Sequence, residues 1–128
     1  MEQDKSTGIQ DATVGIVAYI TLIGFIVAIV MNGSKEGEEK KFGAFHIRQA
    51  LGLIIFAVGI YIIFMILTAI LISISFSLVA IVSFLSLLIW LGFLALLVLG
   101  IINAANKTFK EVPIIGKYSS KMLGAAFE

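Results

Sequence analysis

Charged positions in this chain are confined to its ends and to one short stretch, and long apolar runs separate them. Between Arg48 and Lys107 there is no charged side chain, a run of 58 residues from Gln49 to Asn106. As helix that run measures roughly 87 Å at ~1.5 Å per residue, which is two crossings of a ~30 Å hydrocarbon layer plus a turn. A second uncharged run, between Asp11 and Lys35, is long enough for one more crossing. The pattern predicts three helical spans near residues 13–31, 49–72 and 78–102. The turn between the last two falls on Ser73-Ile74-Ser75-Phe76-Ser77, where serine can satisfy local backbone groups. The flank Met1–Asp11 carries Glu2, Asp4 and Asp11 against Lys5, and the apolar stretch after it exceeds the ~7–15 residues of a signal core, so the first span reads as a retained helix.

Composition agrees with this reading. In 128 residues, 60% are hydrophobic and 13% charged, with mean hydropathy +1.12. An ordinary soluble domain holds about 25% charged residues, and a chain this short cannot hide so much apolar surface from water. There are no cysteines and one histidine, which excludes disulfide frameworks, thiolate or zinc sites and cysteine nucleophiles. No Ser–His pair, paired carboxylates or metal-ligand spacing is visible, so no catalytic, cofactor-binding or metal residues are assigned and an enzyme is not expected. The lysines interleave with Glu36, Glu38 and Glu39, so nucleic acid is not an expected partner either.

The fold class that follows is an all-α membrane protein. One three-helix transmembrane domain covers residues 1–128, with a short cytosolic loop and an amphipathic C-terminal tail. With three crossings, Lys35, Lys40, Lys41 and Arg48 share a side with Lys107, Lys110, Lys117 and Lys121. The positive-inside rule places that side in the cytoplasm, with the N-terminus outside and the C-terminus inside.

This arrangement brings two polar stretches to one depth. Span two enters through Phe45-His46-Ile47-Arg48-Gln49, and span three leaves through Asn103-Ala104-Ala105-Asn106-Lys107. His46, Gln49, Asn103 and Asn106 are therefore expected to cluster at the cytosolic end. The cluster either fixes helix register by hydrogen bonding, the simpler reading, or binds a partner or substrate. Arg48, Lys107, Lys117 and Lys121 are expected to reach lipid phosphates. Glycine and alanine mark contact faces: Gly24 with Ala28 on span one, Gly52 with Gly59 on span two, and Gly92 and Gly100 on span three. Trp90 lies near mid-span, where packing against a helix is its ordinary role. The segment 36–45 reads as a cytosolic loop with Phe42 and Phe45 dipping into the headgroups. Beyond the helix-stopping Pro113, Ile114, Ile115, Tyr118 and Met122 share one side of a helical wheel opposite Lys117 and Lys121, the pattern of a helix lying on an anionic leaflet.

Three of these stretches resemble one family. Phe45-His46-Ile47-Arg48-Gln49-Ala50-Leu51-Gly52 is similar to the signature of a family of small bacterial membrane proteins in the Tic-twenty-like superfamily. Ala18-Tyr19-Ile20-Thr21-Leu22-Ile23-Gly24 resembles that family's opening. Gly100 through Lys107, followed by Val112-Pro113-Ile114-Ile115-Gly116, resembles its close. The resemblance covers roughly residues 12–117. It implies a multi-pass protein of the bacterial inner membrane, related to a component of the plastid inner-envelope import machinery. The expected function is an accessory or scaffold subunit of an inner-membrane complex, in protein translocation or membrane-protein assembly. Its partners would be the lipid bilayer and other membrane subunits or further copies of itself. The alternative is a homo-oligomeric channel or small-solute transporter, whose outer pore half would need Ser73, Ser75, Ser77, Ser83 and Ser86.

Overall fold

The two uncharged stretches fold in different ways. A computed structural model describes residues 9–128; the flank that includes Glu2, Asp4 and Lys5 lies outside them. Among the described residues the fold is all-helical: α1 (Thr13–Val17), α2 (Leu22–Asn32), α3 (Gly37–Ile72), α4 (Phe76–Ala105) and α5 (Gly116–Leu123).

The long run forms a helical hairpin. α3 has 36 residues and α4 has 30, roughly 54 Å and 45 Å, each longer than a ~30 Å hydrocarbon layer. The turn sits at Ser73–Ser75, where the Ser73 hydroxyl donates to the Ile70 carbonyl at 2.7 Å and Ser75 is extended. Only 6% of the most apolar window of either helix is buried, so neither is the core helix of a water-soluble protein. Ile62, Ile63, Ile66, Phe84, Leu87 and Leu91 all point outward. The residues expected to form a cytosolic loop, 37–45, instead extend α3 downward. Their side chains from Phe42 onward are buried, because the rest of the chain wraps this end.

The expected first span is not one helix. α1 has five residues and α2 has eleven, about 17 Å of helix in the longer piece. The chain reverses at residues 18–20. Thr21 then caps α2, its hydroxyl accepting from the Gly24 N–H at 3.0 Å, as threonine favours at a helix start. The two ends of the segment meet again: Lys35 Nζ lies 3.2 Å from Asp11 Oδ2, and the Gln10 N–H donates to Glu39 at 2.8 Å. Val14 and Asn32 both lie against Gly43 of α3. A segment whose ends touch begins and finishes at one end of the molecule, so among the described residues two helices are long and apolar enough to cross a membrane, and a short helical hairpin stands where a third span was expected. Residues 9–12 therefore lie at the same end as the 33–36 connection and the tail, not opposite them. Asp11 is the clasp at that end; hydrogen bonds from Thr13 and then Lys35 hold its carboxyl down at about 2.

The core lies where this hairpin, the lower half of α3 and the tail converge. Ala28, Phe42, Ala44, Ile47 and Ala104 are essentially inaccessible there. Gly100 is the floor under the Tyr19 ring, where a β-carbon would collide with it, and Gly15 admits Ala104 and Phe42, which a β-carbon there would crowd.

Candidate functional site

The site is a seam between the polar stretch of α3 and the C-terminal strap, residues 106–128. Successive residues of a helix turn by about 100°, so His46, Arg48 and Gln49 point in three directions. Polypeptide receives each of them.

His46 is wholly buried. Its Nε2 lies 2.8 Å from the Thr108 carbonyl, which can only accept, so Nε2 carries the proton. Nδ1 then accepts from the Tyr19 hydroxyl at 2.7 Å. Tyr19, Phe42 and Phe45 surround the imidazole edge-on, with centroids 5.6, 4.8 and 4.9 Å away, and Phe109 of the strap closes over the two phenylalanines. Phe42 and Phe45 therefore pack inward, not into headgroups.

Gln49, also wholly buried, splices strap to helix. Its Oε1 accepts from the Val112 N–H at 3.0 Å, and its Nε2 donates to the Gly116 carbonyl at 3.0 Å and to Ser120 Oγ at 3.2 Å. One turn above, Gly52 receives Ser119 of α5, whose hydroxyl occupies the space a β-carbon would take. Arg48 does not reach toward lipid. Its guanidinium donates to the Ala126 carbonyl at 3.0 Å and pairs with Glu128 at 3.3 Å, at 10% side-chain exposure. Asn32 donates to the Lys40 carbonyl at 3.1 Å, while its buried Oδ1 has no hydrogen-bond partner.

The four residues expected to cluster do share one end, but no hydrogen bond joins His46 or Gln49 to either asparagine. Asn103 Nδ2 donates to the Lys110 carbonyl at 3.2 Å, and Asn106 is exposed at the α4 C-cap. The strap runs between the two pairs. It turns at Lys107, whose φ of +59° is left-handed. Lys117 and Lys121 are exposed on α5, and Lys107 is half-buried.

Of the expected packing positions, Gly24, Ala28, Gly52 and Gly100 do meet other elements. Gly59 and Gly92 do not; both face open surroundings and pack on nothing among the described residues. Trp90 lies beside Phe93, 5.6 Å between centroids. Together they line a cavity of about 340 Å³ beside the reversal at residues 18–20, along with Tyr19, Thr21, Leu53 and Ile54.

Tyr19, Thr108, Phe109 and Ser119 are members of the seam that the sequence pattern did not single out. Their signal is indirect: polar side chains on several faces of one helix turn require enclosure on all sides. Among the described residues no group of three or more His, Asp or Glu side chains gathers as a metal site. No family model, curated protein or solved structure matches this chain.

Proposed function

We propose that this chain is a small, non-enzymatic accessory subunit of a bacterial inner-membrane assembly. In this reading α3 and α4 cross the bilayer, and residues 9–12, the 33–36 connection and the strap face the cytoplasm. All eight Lys and Arg side chains from residue 35 onward lie at or below the seam, which the positive-inside rule favours for that side. The relation to Tic-twenty-like proteins belongs to the same proposal, and so does a role in protein translocation or membrane-protein assembly.

One observation carries the reading. The side chains of His46, Arg48 and Gln49 are taken up by internal hydrogen bonds, while the small residues Gly59 and Gly92 open outward from the mid-portions of the two long helices. In lipid, helices associate by close packing at small residues, because apolar surface alone gives no drive. A glycine in a helix interior is destabilising by about 1 kcal/mol relative to alanine, and no contact among the described residues offsets it. These positions suit contact with helices of another subunit. The test is purification of the full chain in mild detergent after photo-crosslinking from positions flanking Gly59 and Gly92. A stoichiometric membrane partner, lost in Gly59→Leu with Gly92→Leu, is expected. Uncrosslinked monomer from native membranes would overturn the proposal.

A further inference from the structure

We propose that α5, with the Pro113–Ile114 corner before it, is an interfacial anchor that seats the headgroup of an anionic phospholipid. The proposal rests on the two-crossing reading above.

α5 shows three kinds of surface. Gly116 and Ser119 face α3 and are buried. Ile114 (79% exposed), Tyr118 and Met122 project away from the protein, and Lys117 and Lys121 are exposed beside them. The Tyr118 ring approaches Phe56 of α3 with 6.4 Å between centroids, one turn above Gly52. The α5 patch is therefore continuous with the outward apolar band of α3, which begins at Ile55. That continuity sets its depth where hydrocarbon gives way to headgroups. An apolar patch flanked by lysines at that depth complements an anionic leaflet.

The corner before α5 adds a second observation. Ile114 has φ +70°, a strained left-handed conformation that a β-branched residue rarely adopts. Its side chain stands outward at this corner, which is unfavourable in water and favourable in lipid. Between this corner and α5 lies a notch of about 420 Å³ lined by Glu111, Val112, Pro113, Ile114, Lys117 and Tyr118. Lys117 Nζ stands over the Tyr118 ring, 5.4 Å from its centre. Glu111 on the wall balances Lys117, so Lys121, one turn further along, provides the excess positive charge that selects an anionic headgroup over a zwitterionic one.

The chain has no cysteine, so single labelling sites can be introduced. Full-length Met122→Cys and, separately, Ile63→Cys carry an environment-sensitive fluorophore in phosphatidylcholine vesicles with and without phosphatidylglycerol. The label at 122 is expected to be shielded from aqueous iodide and quenched by nitroxide lipid as phosphatidylglycerol is added. Lys117→Gln with Lys121→Gln should weaken that response, by about 30-fold in the underlying binding constant if each lysine contributes about 1 kcal/mol near the surface. Ile114→Gly should relieve the strain, keep the fold and still weaken shielding. A label at 122 that stays open to iodide in both vesicles, or a response indifferent to the lysines, overturns the anchor while lipid quenching at 63 leaves the two crossings standing. Iodide access at 63 overturns both.

Discussion

Replacing Gln49 with leucine tests whether the seam holds the strap in place. The change keeps the volume nearly constant and removes three hydrogen bonds, to Val112, Gly116 and Ser120. Ser120 is half-exposed and can turn to water. The Gly116 carbonyl keeps the Ser120 N–H of the first turn of α5, so the group left stranded is the Val112 N–H, on a buried residue. A buried polar group left without a partner is destabilising by about 1–3 kcal/mol, about 2 kcal/mol at the middle of that range. At 1.4 kcal/mol per decade, the strap's docking equilibrium shifts by about 30-fold. Amide hydrogen exchange on the reconstituted full chain reads this directly. Residues 108–123 should exchange about 30-fold faster, while 58–70 in the upper part of α3 stay unchanged. Exchange in the strap that stays within twofold of the parent protein would refute the reasoning and assign the strap's order to α5 packing alone.

Two further outcomes follow from the same geometry. Gly52→Ala puts a methyl group into the place of the Ser119 hydroxyl; overpacking of this kind is destabilising by about 1–3 kcal/mol, and Ser119→Gly in the same chain should restore the melting temperature in detergent. Single cysteines at Gln10, Lys35 and Lys110 should all react with a membrane-impermeant reagent from one side of oriented vesicles, and Ser75→Cys from the other. Labelling of Gln10→Cys and Lys35→Cys from opposite sides would restore a third crossing.

The two long helices were legible because nothing competes with their pattern. An uncharged run of this length has few alternatives, and the serine turn fell within the expected residues. The first apolar segment misled because an amphiphile-free stretch of nineteen residues looks the same whether it crosses or doubles back. The signals that separate the two are small: a threonine able to cap a helix inside the run, and an Asp11 and Lys35 able to pair across its ends. Arg48 was misplaced for a related reason. Its guanidinium is satisfied by residues 126 and 128, and no local pattern shows that a chain end will return to a helix 78 positions earlier. The asparagines were placed at the right end of the molecule, but the strap that separates them from His46 and Gln49 is a tertiary fact.

The reversal at residues 18–20 has a bearing on how the molecule is made. Tyr19 rests on Gly100 and hydrogen-bonds His46, so a segment synthesised before α3 and α4 is the one whose seat is finished last. Until α4 has been synthesised and has turned back, the short hairpin has no floor beneath its aromatic ring and no partner for its hydroxyl. The short hairpin therefore docks only after the two long helices have packed against each other.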